Sequence, residues 1–355
     1  MGLIITSTPE EKVVVDLLLS KNLPSYRQAY SDRTAWVMAC LSELAYVRFN
    51  PLFKKDDVKG FILDKVTELA GSGKKTGLLK LIDMLAYDHE EEREKLIREL
   101  GGLNIKLEEG GSFDVEGTQA ILVSCDAFIA LAFRGTESNS IKDIKADLDA
   151  KGVNCASGGR VHAGFNRAFN TVLMDIQQKL DQAQYADKPL IITGHSLGGA
   201  LATIAAKRLT HKGQMAACYT FGSPRVGDEE WISTLKTPVY RVVNAADCVT
   251  MLPPGGSLLS ASAWSLGWIP GVGSAIKTWM KQRYDGYLHG GDMRYLSNCK
   301  SGEYSQVRLL PSVSFFFRIK QLILKQSPWT NLLADHSIST YRKKLTIIAD
   351  RRNRG

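Results

Sequence analysis

The chain has 355 residues, of which 44% are hydrophobic and 23% charged, with a formal net charge of +8. This length and balance exclude a disordered or low-complexity chain and allow a substantial core in one or two domains. The basic surplus would suit nucleic acid, an anionic membrane or plain solubility. There is no zinc-finger spacing, RNP stretch or long Lys/Arg array, so nucleic acid is not expected as a partner.

The first hundred or so residues read as helical. Residues 34–46 are apolar on one face at helical spacing, as are 61–69 and, more strongly, 78–85. Residues 90–100 form a charged helix whose start, Glu90-Glu91-Glu92, favours the macrodipole. From residue 113 the pattern changes. Strands are expected at 120–124 and 127–133, then a helix at about 166–184, a strand at 189–193, a helix at 200–209, and strands at 215–221 and 239–244. Strands alternating with helices imply a mostly parallel sheet covered on both faces. The expected organisation is a helical N-terminal region, 1–112, packed on an α/β domain, 113–355.

Within that pattern, Gly194-His195-Ser196-Leu197-Gly198 lies between an apolar strand and a helix-forming run. Gly-x-Ser-x-Gly in a strand–turn–helix context is what a nucleophile elbow requires, because the helix N-terminus aims free N–H groups where an oxyanion would form. A nucleophilic serine needs a base and a carboxylate to orient it. Beyond the elbow helix only His289 and His336 remain as bases, with His211 at that helix's end. Asp247 sits just past the 239–244 strand, where ligands bind in such sheets, and Asp292 is a competing acid. His195 is expected to pack beside the site, and His162 to be a hydrogen-bonded scaffold residue.

The six cysteines, Cys40, Cys125, Cys155, Cys218, Cys248 and Cys299, are scattered without a CxxC pair, so free thiols are expected and no metal or cofactor. The N-terminus lacks a basic stretch before its apolar residues, so no cleavable signal peptide is expected. The location expected on that ground is cytoplasmic or peripheral to a membrane, with signal-less export left open.

Several segments in this order resemble the class 3, fungal-type triacylglycerol lipase family of α/β-hydrolases. Phe133-Arg134-Gly135-Thr136 is similar to the family's oxyanion strand and loop, Val161-His162-Ala163-Gly164-Phe165 to its helix entry, and Gly194 through Ala200 to its elbow. Thr220-Phe221-Gly222-Ser223-Pro224-Arg225-Val226-Gly227 resembles the next strand and turn, and Asn244-Ala245-Ala246-Asp247 with Leu252-Pro253-Pro254 resembles the acid loop. Tyr287-Leu288-His289-Gly290-Gly291 resembles a structural-histidine strand, and Asp335-His336-Ser337 with Tyr341 the catalytic-histidine segment.

The resemblance spans roughly residues 115–345. It implies Ser196 as nucleophile, His336 as base and Asp247 as acid, with an oxyanion hole from the backbone N–H groups of Leu197 and Thr136. It also implies a lid in roughly 137–155, where Ile141, Ile144 and Leu148 recur at near-helical spacing.

Two departures stand out. Residues 50–105 have no counterpart from which a role transfers. No charged residue occurs from Cys248 through Ile276, yet Pro253-Pro254-Gly255-Gly256 and Pro270-Gly271 argue against one continuous helix there. That run reads as a lipid-facing flap. The apolar, basic-punctuated stretch 315–325 and the Arg/Lys-rich tail after Tyr341 suit a peripheral contact with a lipid interface. The expected activity is ester hydrolysis on lipid through an acyl-enzyme. The alternatives are a phospholipase A1, a short-chain carboxylesterase, or, in another class, an inactive membrane-binding protein of the same fold. Oligomeric state is not encoded legibly.

Overall fold

The computed structural model describes residues 4–21, 28–47, 89–136, 152–155, 158–253, 286–300, 302–314, 316–318, 320 and 332–354. The expected helices at 61–69 and 78–85, the lid positions 137–151 and the flap beyond residue 253 lie outside them. Helices α1 (Pro9–Leu19), α2 (Asp32–Leu44) and α3 (His89–Gly102) precede strands β1 (Lys106–Val115), β2 (Thr118–Ser124) and β3 (Ile129–Phe133). A small ribbon of β4 (Gly152–Asn154) and β5 (Arg160–His162) leads into α4 (Ala163–Leu180). Strand β6 (Leu190–His195) then gives way to α5 (Leu197–Arg208). Strand β7 (Met215–Phe221), α6 (Glu229–Ser233), β8 (Val239–Asn244), β9 (Asp292–Leu296) and β10 (Leu309–Leu310) follow, and α7 (Leu332–His336) and α8 (Ile338–Arg354) close the chain.

Among the described residues, eight strands form one sheet in the order β1-β2-β3-β6-β7-β8-β9-β10. Its centre, β3 through β9, is parallel, and the flanking pairs are antiparallel. The sheet starts at Lys106, inside the stretch expected to be helical. The reason is visible in β1, whose polar and glycine-rich run Glu108-Glu109-Gly110-Gly111 hides the period-two signal and whose register slips between Leu107 and Ser112.

Alternate strand residues feed two cores. On one face Leu131, Phe133, Ile192 and Cys218 meet Phe165 and Phe169 of α4 and Leu201 and Ile204 of α5. On the other, Ala130, Ile191, Tyr219, Phe221 and Val242 meet Trp36 and Leu41 of α2 and Tyr341, Leu345 and Ile348 of α8. Burying such large apolar side chains contributes roughly 1.5–3 kcal/mol each. The N-terminal helix α2 is therefore a full layer of the sandwich. It is also tied to the elbow strand by polar contacts: Ser42 Oγ and Thr193 Oγ1, both fully buried, are 2.9 Å apart.

Candidate active site

At the carboxyl end of β6 the chain turns sharply into α5, and Ser196 sits at the turn with φ 57° and ψ −127°. A non-glycine residue at positive φ is strained, and the turn holds only because strand and helix press together. A Cβ on Gly194 would fall 2.2 Å from the Gly198 carbonyl oxygen, and one on Gly198 would fall 2.3 Å from that of Phe133. The Ser196 N–H donates to the Phe221 carbonyl (2.9 Å), which pins the elbow to β7.

Two further side chains arrive from the ends of other elements. His336 ends α7, and its Nε2 lies 2.8 Å from Ser196 Oγ. Its Nδ1 lies 3.0 and 3.1 Å from the two carboxylate oxygens of Asp247, three residues past β8. A carboxylate only accepts, so Nδ1 carries the proton and Nε2 faces the serine hydroxyl as the acceptor. Asp247 is fully buried. Its carboxylate accepts from the Tyr341 hydroxyl at 2.6 Å and from the Val249 N–H at 3.0 Å. Burial and the Asp247 charge push the Tyr341 phenol well above its usual range, so it stays a donor.

The acid loop is held from several sides. Tyr341 Oη accepts the Asn244 N–H (3.0 Å), and Asn244 Nδ2 donates to the Asp335 carbonyl (2.8 Å). The buried Lys344 ammonium donates to Asn244 Oδ1 at 2.7 Å. Arg318 donates to the Asp247 carbonyl at 3.2 Å and to Thr250 Oγ1. The sequence expectation put Arg318 and the tail residues Arg342 and Lys344 at a lipid interface, but all three are buried, Arg318 and Lys344 against the acid loop and Arg342 against Glu43. Long-range polar contacts of this kind leave no periodic or spacing signal.

The rival base is elsewhere occupied. His289 Nε2 lies 2.6 Å from the Thr250 carbonyl, and burial together with Arg241 and Arg225 holds its pKa well below the usual 6.5. Asp292 opens β9 and is exposed, whereas Asp247 is the carboxylate at His336. His162 caps α4, accepting from the Phe165 N–H at 3.4 Å, and its ring stacks on Phe165. Thr136 follows β3 through Gly135, whose Cβ position is 3.3 Å from Ser196 Cβ, so the loop lies against the elbow. Leu197 is the first residue of α5, where N–H groups have no partner within the helix. Arg134 supports this loop through Gln119, its Nη1 donating to Oε1 at 2.5 Å. All six cysteines are free.

Such a line of hydroxyl, imidazole and carboxylate can move one proton from the serine while the carboxylate stabilises the imidazolium. A mostly parallel sheet that presents it at the carboxyl ends of its strands is the architecture of the α/β-hydrolases.

Within that class, residues 130–256 match the family model described as lipase (class 3). The chain is 38% identical to the secreted mono- and diacylglycerol lipase 1 of Fusarium solani over 109 residues, 29% of this chain and 33% of that protein. It is 37% identical to a lipase of Rhizomucor miehei over 138 residues, 36% of this chain and 38% of that one. The match thus spans only about a third of the length of these curated relatives. A solved triacylglycerol lipase, described as having a serine protease triad as its catalytic centre, superposes with a TM-score of 0.50 at 21% identity, covering 90% of this chain and 98% of that chain. At that identity the likeness bears on the fold alone. Residues 130–256 are thus similar to the class 3 lipases, in a chain whose fold is that of the α/β-hydrolases.

Proposed function

We propose that this chain is a serine ester hydrolase acting on lipid esters, with Ser196 as nucleophile, His336 as general base and Asp247 as the orienting acid. The observation that carries the reading is the unbroken line from Ser196 Oγ through His336 to Asp247, with contacts of 2.8 and 3.0 Å in a buried setting. In the reaction, Ser196 Oγ attacks the ester carbonyl as its proton passes to His336 Nε2. The oxyanion lies between the N–H groups of Leu197 and Thr136, an arrangement worth about 10²–10³-fold per donor. Collapse breaks the ester C–O bond, and the leaving alcohol takes the proton from His336. Water, deprotonated by the same imidazole, then hydrolyses the acyl-enzyme and restores Ser196.

The lipid substrate class rests on the family and on the relatives named as lipases. Peripheral contact with a lipid interface belongs to the same reading. Phe316 is 82% exposed and Phe317 39%, beside the acid loop that Arg318 clamps, and Arg351, Arg352 and Arg354 are exposed at the end of α8. Among the described residues no helix is long and apolar enough to cross a membrane.

The test is hydrolysis of a matched panel by wild type and Ser196→Ala: short nitrophenyl esters, long-chain triacylglycerol emulsions and phospholipid vesicles. Serine-dependent activity that rises on emulsions is the expected result. Activity confined to vesicles would make the protein a phospholipase A1, and activity confined to soluble short esters would make it a carboxylesterase. No serine-dependent activity on any of them would remove the proposal.

A further inference from the structure

His195, next to the nucleophile, has a buried imidazole that the hydrolytic cycle does not use, and both its ring nitrogens are engaged. Nε2 lies 2.5 Å from the carbonyl oxygen of His336, and Nδ1 lies 2.8 Å from the hydroxyl of Tyr46. A carbonyl can only accept, so Nε2 carries a proton. Burial first, and the neighbouring His336 second, hold the His195 pKa well below 6.5, so the ring is neutral and Nδ1 is an acceptor. The Tyr46 hydroxyl must then be the donor to Nδ1. Its oxygen lies against the Gly135 backbone. The result is a directed chain, Tyr46 O–H to His195 Nδ1 and His195 Nε2–H to the His336 carbonyl, with the Gly135 backbone packed against the tyrosine oxygen.

The two ends of that chain matter. Gly135 immediately precedes Thr136, and its backbone approaches so closely that an added Cβ would sit 2.3 Å from Tyr46 Oη and 2.6 Å from the His195 carbonyl oxygen. The other end is the main chain of the base itself, and the two imidazole rings lie 4.6 Å apart. Tyr46 lies two residues past the end of α2, in the N-terminal region outside residues 130–256 that match the family model.

We propose that Tyr46, acting through a neutral His195, is a positioning residue that holds the oxyanion loop and His336 in one rigid frame around Ser196. The proposal rests on His336 being the base and Thr136 an oxyanion donor. Neutrality is part of the device: a charged His195 could not accept from Tyr46, and it would oppose the imidazolium that forms on His336 during turnover. Because the frame acts on groups that tighten at the transition state, its loss lowers kcat more than it raises KM.

The experiment combines kinetics with imidazole ¹⁵N NMR. Tyr46→Phe keeps the ring and removes the hydroxyl. It is expected to lower kcat on a soluble nitrophenyl ester by about three- to tenfold, the range for one modest hydrogen bond, with KM unchanged. In the wild type at neutral pH the His195 ring should give the ¹⁵N pattern of a neutral imidazole protonated at Nε2. In Tyr46→Phe that tautomer bias should weaken. Wild-type kcat in a folded Tyr46→Phe protein would overturn the proposal. So would an Nδ1-protonated His195 in the wild type, a measurement that does not depend on the variant folding. Full activity in Ser196→Ala would instead sink the serine mechanism on which the proposal rests. A silent Ser196→Ala beside an unaffected Tyr46→Phe would sink the positioning role alone.

Discussion

Gly222 follows β7 at φ +59°, and its missing side chain leaves the space that the proposed Asp247–His336 pair occupies. A Cβ there would lie 2.7 Å from Asp247 Oδ2 and 3.0 Å from both Cε1 and Nδ1 of His336. Ordinary contact begins near 3.4 Å, so Gly222→Ala is short of space by about 0.7 Å on the acid and about 0.4 Å on the base. The methyl group points at the hydrogen bond between them. Relief requires parting Asp247 from His336, and a 3.0 Å contact stretched by that much is no longer a hydrogen bond. A misplacement of this size costs about 10²-fold, and full loss of the carboxylate's orienting effect about 10⁴-fold, so kcat should fall by about 10²–10⁴. Stability should fall as well, by about 1–2 kcal/mol for alanine held in the left-handed region and about 1–3 kcal/mol for overpacking. The assay is turnover of a nitrophenyl ester with active sites counted by a fluorophosphonate probe, beside urea unfolding of the same preparation. A Gly222→Ala protein with wild-type kcat would show that the His336–Asp247 contact does not limit turnover, and the site argument would fail with it.

Ser196→Ala should lower turnover by about 10⁶ and abolish fluorophosphonate labelling, while persistent labelling would identify another nucleophile. Asp247→Asn should lower turnover by around 10⁴ with the protein still folded, and a negligible change would point to another acid. Tyr341→Phe removes a donor to Asp247 and strands the buried Asn244 N–H. A destabilisation of about 2–4 kcal/mol in urea unfolding is expected, and a midpoint equal to wild type would refute the account of that network. His195 and His289 are both held neutral, with pKa values well below 6.5 in the folded state. As pH drops beneath 6.5 the unfolded chain therefore binds protons that the folded one does not. Each histidine should cost up to about 1.4 kcal/mol of stability per pH unit in that range, with no such loss above it. Denaturant melts at pH 7.5 and 5.5 measure this, and a His289→Gln protein with the wild-type slope would contradict the assignment for that residue.

What could be read from the chain divides by the range of the interaction. The elbow is local: strand, turn glycines, serine and helix occupy one short run, so both the sequence pattern and the strained geometry sit in the same few residues. The central strands were also legible, because β3, β6, β7 and β8 are buried on both faces and read as continuous apolar runs. Strands β1, β9 and β10 escaped notice because they lie toward the sheet's edges, are only partly buried and carry mixed side chains. Periodicity could not reach the acid loop. Arg318, Lys344, Asn244 and Tyr341 meet Asp247 and its neighbours across 71 to 100 residues of sequence.

The N-terminal region shows the same limit in another form. Helical spacing located the core of α2, but nothing in that spacing says that Ser42 meets Thr193 on the elbow strand or that Tyr46 meets His195 beside the nucleophile. Hydrophobic pattern decides which face of α2 turns inward. Once that face is against β6, the polar residues caught at its margin are desolvated and must find partners. For Ser42 and Tyr46 those partners lie on the elbow strand, whereas Glu43 and Asp32 pair with Arg342 and Arg352 of α8. A segment outside the matched family region thus comes to touch the site because the face of α2 that packs on β6 carries Ser42 and, just beyond its end, Tyr46 into bonding reach of Thr193 and His195.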